Sequence, residues 1–504
     1  MKKIISIILF SAILLSFAAC ASDTKKDAAD TTKAPLSTEP GSDTAYYEPD
    51  ELPALNFGGE KIVFLTRENL EKKEGVNVTF HESTFTVEDL NSNVLNDSIY
   101  NRELFVEDRL GVEIENYAVE DVDAEFEKMI GSGDDVYDAV VADNAGLSIY
   151  VFKDYLTDLY SVDYLDTTKP WWSQNFNREA ELLGSLYLTT GSLCLSLYKN
   201  TYAVYYNKNL AENYSMGKPD LANLYGIVDA GKWTFDKFTQ LGGDLYVDVN
   251  GNTVRDLDDI YGIAYDRYFP IDAIWSGFDI RVFSRTDDGW FDFDVNTDKM
   301  YTALDKIFVL INELEGSITA NVGTDAETSY SCDRPELHFA NGTNLFLVER
   351  LGYAEKETMR NMQDDYGVLP YPKYDENQKE YYSFTHDFYG AVVIPNTNGN
   401  PDTVGAVLEA MASFSYRDTI PAYLDTVLKG QYMSDPQSRR MIDTVVDGIY
   451  IDAAWIYVHT LANDYPRQYR YYLAEGGRSF ATKHEQYGRK VGTVLKIYRQ
   501  MLEK

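Results

Sequence analysis

Cysteine and histidine are scarce, basic residues are outnumbered, and no apolar run is long enough to cross a bilayer. The 504 residues include three cysteines and five histidines. With Cys20 in the N-terminal leader, Cys194 and Cys332 allow at most one bridge. A fold of this size then rests on its apolar core rather than on cross-links, and both thiols are expected to be buried and unpaired. The histidines stand at 81, 338, 386, 459 and 484, with no spacing that gathers them on one metal ion. The chain carries no GxSxG elbow, no HExxH helix and no glycine-rich phosphate loop, so catalytic signals are poor. Lysine and arginine total 45 against 81 acidic residues, a formal charge of −36. Such a chain repels nucleic-acid phosphate and anionic lipid headgroups. The same excess makes any one pair of carboxylates uninformative.

The longest apolar run, Ile4–Ala19, follows the charged start MKK. A membrane-spanning helix needs about twenty residues, and this run is shorter. A positive start, a short apolar core and small residues before a cut site describe a secretory signal over 1–19. Ala18 and Ala19 before Cys20 resemble the lipobox of bacterial lipoproteins, which implies that Cys20 is lipidated and becomes the mature N-terminus. Phe17 stands where that family prefers Leu. Ordinary cleavage with Cys20 incidental is the alternative. Residues 20–53, rich in Asp, Thr, Ala, Ser and Pro, cannot bury enough apolar area to offset their ordering entropy. They read as a flexible tether on a lipid anchor, which places the folded part outside the cytoplasmic membrane.

About 450 residues remain, and single cores rarely grow past roughly 250–300, so two lobes are expected. KIVFLTREN at 61–69 reads as a strand and 91–110 as a helix. A strand at VEIENYAV, a helix through DAEFEKMI ended by GSGDD, and a strand at 136–144 follow. Strands alternating with helices predict a parallel α/β sheet, with ligand beyond the carboxyl ends of its strands. That puts Arg67 and Glu68, and Asp143 and Asn144, at a candidate site. The apolar, aromatic stretch 185–210 reads as two buried strands or as a crossover between lobes. Helices are expected at TFDKFTQL, at MYTALDKIFVLINELEG and at TVGAVLEAMASFS. The stretch 271–296 reads as a helix leading into a hairpin with a DDG turn. GAVVIPNT at 390–397 reads as a buried strand, and the chain beyond about 420 as mostly helical. No internal repeat is visible.

Aromatics are abundant: 40 Tyr, 24 Phe and 6 Trp. Most belong in a core, but flat rings also suit the apolar faces of sugars. The pieces VYDAVVADNAGLSIYVFKDYLTDL, AVYYNKNL, DAGKWTFDKF, NLFLVERLGY with YGVLPYPKYDENQKEYYS, and GAVVIPNTNGNPDTVGAVLEAMA occur in that order. Together with the leader they resemble the extracellular solute-binding proteins of bacterial ABC importers, family 1, of the maltodextrin- and sugar-binding type. The resemblance implies a two-lobed α/β fold of the periplasmic-binding-protein type (type II), hinge crossovers and an inter-lobe cleft. It puts the N-terminal lobe at 54–195 plus 385–425 and the C-terminal lobe at 196–384 plus 426–504. It also implies a carbohydrate ligand, a membrane permease as partner, and no enzymatic activity.

By the same resemblance, Trp275 and Trp455 fall where the family puts stacking aromatics, and Arg67, Asp143 and Asn144 where it reaches hydroxyls. Core tryptophans and helix capping are the plain alternatives. Glu349 and Arg350 replace an aromatic pair of maltodextrin binders and favour a more polar ligand; a surface ion pair is the alternative. At most one of Trp171 and Trp172 can face a cleft, since adjacent strand residues point opposite ways. His386, Asp387 and Tyr389 fall near the second crossover. DVNGNTVRDLDD resembles an EF-hand-like calcium loop, with Asp248, Asn250, Asn252, Asp256 and Asp259 at positions 1, 3, 5, 9 and 12 and the Val254 carbonyl at 7. Thr253 stands where Gly is wanted, Asp259 replaces a bidentate Glu, and an ordinary Asn-Gly turn is the alternative. Calcium is the one cofactor expected, if any.

Overall fold

The computed structural model describes residues 50–68, 81–256, 258–265, 269–319, 334–432 and 435–503. The leader, Cys20 and Cys332 lie outside them. The described chain begins at residue 50, inside the stretch 20–53 expected as tether. Asp50 and Leu52 are buried, and Arg109 Nη2 donates to the Leu52 and Pro53 carbonyls at 3.0 and 2.9 Å. One arginine donating to two carbonyls docks a stretch that composition alone assigns to solvent.

The first sheet starts with β1 (Glu60–Arg67), β2 (Val112–Val119) and β3 (Ala139–Asp143). β1 lies between the other two and is parallel to both. Parallel neighbours need crossovers, which the helices Val94–Leu110 and Val122–Ser132 supply. Asn93 caps the first by accepting from the Leu95 and Asn96 N–H groups, and Gly111, at φ 63°, closes it in the left-handed region. β3 is buried along its whole length, as a strand covered on both faces must be.

The chain then lays down a second sheet with β4 (Tyr202–Asn207), β5 (Tyr246–Val247) and β6 (Ile260–Tyr265). The hairpin β7 (Phe283–Arg285) and β8 (Phe291–Phe293) leaves it. β9 (Ser317–Thr319), β10 (Asn344–Arg350) and β11 (Tyr366–Pro370) complete it, and β12 (Gly390–Val393) returns to the first sheet. The orders are β12-β3-β1-β2 and β11-β4-β10-β6-β5, with β9 on β6.

The stretch 185–210 is a crossover rather than two strands. Thr189 bridges Val392 of β12, one helical turn follows at Ser196–Lys199, and only then does β4 begin. Two further passages run beside it. Tyr202 N–H donates to Phe384 O at 2.9 Å, His386 N–H to Asn200 O at 3.0 Å, and Ser383 N–H to Gly448 O at 2.7 Å. The three passages form a narrow hydrogen-bonded ribbon between the sheets, where a hinge would lie. Buried Glu82 fastens it: the carboxylate accepts from Ser196 N–H and Oγ, both at 2.8 Å, and Gly390 N–H donates to Ser196 Oγ at 2.7 Å.

Two other elements join the halves. The helix Pro401–Phe414 runs on as π-helical turns to Tyr432. There Ile420, Tyr423 and Val427 pack with Ile99 and Leu195, while Leu428 joins the core around Tyr205 and Tyr261. The β7–β8 hairpin reaches the loop after the helix Gln174–Ala180. Leu183 N–H donates to Gly289 O at 3.2 Å, and Arg285 donates to the Glu181 and Arg178 carbonyls. Among the described residues no helix is long and apolar enough to cross a membrane.

Candidate functional site

The carboxyl ends of β1, β3 and β10 meet at the second crossover, 383–390. β1 ends in Arg67 and β3 in Asp143, which stands opposite Gly390. Asp143 accepts from Arg67 Nη2 at 3.2 Å and its other oxygen lies 2.7 Å from His81 Nδ1. It makes no side-chain capping bond to the helix it precedes, so its carboxylate serves the cluster rather than the helix. The His81 ring lies 5.3 Å from that of Phe388, and Phe388 lies 4.8 Å from the ring of His386. Asn144 is fully buried; its Nδ2 donates to Ile456 O at 3.1 Å.

From the second sheet come Glu349 and Arg350 at the end of β10, 2 % and 1 % exposed. Glu349 Oε1 accepts from Arg350 N and Nε at 2.8 and 2.9 Å, and Arg350 Nη2 donates to Tyr353 OH at 2.9 Å. The pair is interior, which corrects the surface alternative. The helix Phe269–Gly277 brings Asp272, and the helix Tyr465–Ala474 brings Arg467 and Arg470, spaced i, i+3 on one face. Arg470 Nη2 lies 2.5 Å from Asp272 Oδ2. Arg467 Nη2 donates to Asp387 Oδ2, and Asp387 Oδ1 lies 3.1 Å from His386 Nδ1. Burial first, then the positive charges of Arg350, Arg470 and Arg467, hold the His386 imidazole well below its ordinary range. His386 is therefore neutral at pH 7.

Four guanidinium groups thus face four carboxylates, each paired with one: Arg67 with Asp143, Arg350 with Glu349, Arg467 with Asp387, Arg470 with Asp272. Buried charge persists only in such pairs. Beside them, Asn144 Oδ1, Tyr389 OH and Trp455 Nε1 are buried with no hydrogen-bond partner among the described residues. The arrangement offers forked donors and acceptors in balanced charge, which suits a ligand rich in neutral hydroxyl groups. Sequence reasoning does not single out Asp272, Arg467, Arg470, His81 or Phe388 as ligand residues. The i, i+3 arginines in DYPRQYR are the one available signal, and the charge-rich composition hides it.

The aromatic expectations fare differently. Trp275 is 2 % exposed and packs against Tyr465 and Tyr469, with ring centroids at 6.1 and 5.9 Å. Protein rings occupy its surroundings, so in this conformation it is core. Trp455 is equally buried, 4.8 Å from the Phe384 ring, and only its unpartnered Nε1 can serve a ligand. Phe388 is the half-buried ring inside the cluster. Trp172 Nε1 donates to Glu409 at 2.9 Å. Trp171 and Trp172, with Tyr198 and Tyr416, line a separate cavity of about 360 Å³ beside the crossovers. The loop 248–259 closes on itself. Asp248 accepts from Gly251 and Thr253 N–H at 2.7 and 2.9 Å, Asn252 Nδ2 donates to Asp256 at 2.8 Å, and Asp259 accepts from Val249 N–H at 3.2 Å. Among the described residues no three acidic, cysteine or histidine side chains are grouped to hold a metal ion.

No family model and no curated protein matches the sequence. Solved structures do match. The galacto-N-biose-/lacto-N-biose I-binding protein of the ABC transporter from Bifidobacterium longum, in complex with lacto-N-biose, aligns at TM-score 0.54. Identity is 12 %, over 88 % of this chain and 98 % of that one. A cyclo/maltodextrin-binding protein complexed with maltotetraose aligns at TM-score 0.52 and 13 % identity, over 88 % and 97 % of the two chains. The fold is the two-lobed α/β fold of sugar-binding proteins. Its two sheets are the cores of the lobes, and the charge cluster lies where the strands of both lobes end at a crossover. Both neighbours are binding proteins.

Proposed function

We propose that the chain is the extracellular substrate-binding lipoprotein of an ABC importer, anchored through Cys20, capturing a carbohydrate between its lobes and delivering it to a membrane permease. The observation that carries this reading is the cluster of paired, buried charges at the carboxyl ends of β1, β3 and β10, in a fold shared with sugar binders. Neutral hydroxyl groups can donate to these carboxylates and accept from these guanidinium groups while all the charges stay in place and balanced, whereas a ligand of strong net charge would unbalance them. The ligand contacts both lobes only when they are closed, so binding shifts the population toward the closed form, which then docks on the permease. No bond is made or broken. Calcium at the 248–259 loop is a separate proposal, tested by calcium titration followed by melting temperature.

The test is a melting-temperature screen of the full-length protein against mono- and oligosaccharides, amino acids and short peptides, with chromatography of any hit afterwards. A saccharide at a hundred times its dissociation constant adds about 2.7 kcal/mol of stability and is recovered intact. A peptide hit moves the ligand class. A saccharide that is consumed makes the protein a glycan-active enzyme, whose paired carboxylates then act across the cleft.

A further inference from the structure

Asp387 stands in the second crossover, 1 % exposed, and what holds it is a chain of contacts that runs out to solvent. Arg467 Nη2 donates to its Oδ2. Arg467 Nη1 lies 3.0 Å from His459 Nε2, and His459 Nδ1 lies 2.9 Å from Asp464 Oδ1. The inner side chains are shielded and the outer two are open: Arg467 is 15 % exposed, His459 34 % and Asp464 41 %. Asn463 and Asp464, neither of them glycine, both sit in the left-handed region, at φ 46° and 55°. Such backbone is held only where the surroundings over-determine it, and here it presents the Asp464 carboxylate to the imidazole.

The chemistry of the partners fixes the tautomer. A guanidinium has donors only, so Nε2 must accept and carries no proton. A carboxylate accepts, so Nδ1 carries the proton. His459 is neutral in this arrangement, and a second proton can enter only at Nε2, facing Arg467. That proton turns an acceptor into a donor opposite another donor and sets two positive groups 3.0 Å apart. The charged groups on the packed elements belong to the same balance. Arg467 faces Asp387 from the crossover and Asp464, at 3.9 Å, from its own helix start. Arg470 and Asp272 supply the charges next to it. Among the described residues, Asp464 is the one carboxylate paired with His459, and it already holds the Nδ1 proton.

We propose that His459 is a positioning residue for the cleft: neutral, it holds Arg467 on Asp387 and so fixes the crossover carboxylate; protonated, it releases Arg467 and loosens the second crossover. The inference deepens the carbohydrate-binding reading, on which the role of Asp387 as a cleft residue rests. It makes the cleft sensitive to the acidity outside the cell through a group that does not touch the ligand.

The test needs no ligand. Hydrogen exchange of the full-length protein is followed at the amides of residues 383–390 at pH 7.5 and pH 5, corrected for the intrinsic exchange rate. Losing one hydrogen bond to a charged group should speed exchange of these amides by about tenfold or more at the lower pH. His459→Gln can accept from Arg467 and donate to Asp464 at any pH, so its exchange should be the same at both. Asp387→Asn should be fast at both. Nitrogen NMR of the His459 ring gives a second reading, with Nδ1 protonated and Nε2 bare at pH 7.5. A wild-type crossover whose exchange does not change with pH, or a ring protonated on Nε2 at pH 7.5, overturns the inference and leaves carbohydrate binding untouched. A pH-dependent crossover in a protein that binds no saccharide upholds the switch and removes the sugar.

Discussion

Glu409 illustrates what burial does to a single carboxyl. It lies in the helix Pro401–Phe414, 1 % exposed, with Trp172 Nε1 donating to it at 2.9 Å. Burial pushes its carboxyl up to about 8 against the pull of the Trp172 and Trp171 indoles. The folded protein therefore keeps a proton that the unfolded chain releases near pH 4.3. Stability falls as pH rises from there to about 8, because the folded state binds more protons over that window. Glu409→Gln should raise stability at pH 9 by a few kcal/mol more than it does at pH 5, relative to the parent, as read by denaturant unfolding at the two pH values. Phe388, between the rings of His81 and His386, makes a second test. Phe388→Ala should weaken saccharide binding by at least about 1 kcal/mol, measured by calorimetry. Single residues are the least legible part of the sequence. Arg67 and Asp143 can be found because they end strands, a position that pattern reveals, whereas Glu349 with Arg350 is reached only through the family resemblance. Asp272, Arg467 and Arg470 sit on helix faces, and nothing local to a helix says which side meets a cleft. Trp275 is ambiguous for the converse reason: a large ring is equally at home in a core, and here it packs on Tyr465 and Tyr469.

At the scale of elements, β1 and β3 are readable from their apolar runs, and the helices between the strands from their caps, Asn93 and Gly111 on one and Asp121 and Gly133 on the other. The crossover at 185–210 stays ambiguous in sequence, since a buried aromatic stretch looks the same as strand or as packed loop. What decides it is close backbone approach. A Cβ on Gly191 would meet the Trp171 carbonyl and stand 2.9 Å from Trp172 Cα, so no side chain fits where the crossover passes the tryptophan loop. Gly191→Ala should cost about 1–3 kcal/mol, seen as a lower denaturant midpoint with an unchanged slope. Cys194 lies in the same passage, just before the helical turn Ser196–Lys199. It is wholly buried, and burial pushes its thiol up. It should resist thiol reagents in the folded protein and react on unfolding. The tether reading runs too long because composition cannot see that Arg109 collects the carbonyls of residues 52 and 53.

The whole molecule carries an excess of acid, 81 acidic residues against 45 basic ones. Burial raises the carboxyls of Glu103 and Asp452 to about 7, as it raises that of Glu409. Each of the three loses stability as pH rises from the ordinary carboxylate range toward 7 or 8. His386 works the other way: depressed in the folded state, it costs stability as pH falls below about 6.5. The melting temperature should therefore peak on the acid side of neutrality and be lower at pH 8.5 than at pH 6, checked by calorimetric scans. The charge of −36, partly relieved by protonation, acts in the same direction.

The central claim is that a saccharide closes on the charge pairs at the crossover. Hydrogen exchange of the full-length protein with and without a panel of saccharides tests it most directly. The account predicts that at least one saccharide slows exchange together at 143–145, 271–275, 349–353, 386–390 and 467–470, from both lobes at once. No protection by any saccharide, or protection confined to one lobe or to residues remote from these segments, would contradict it.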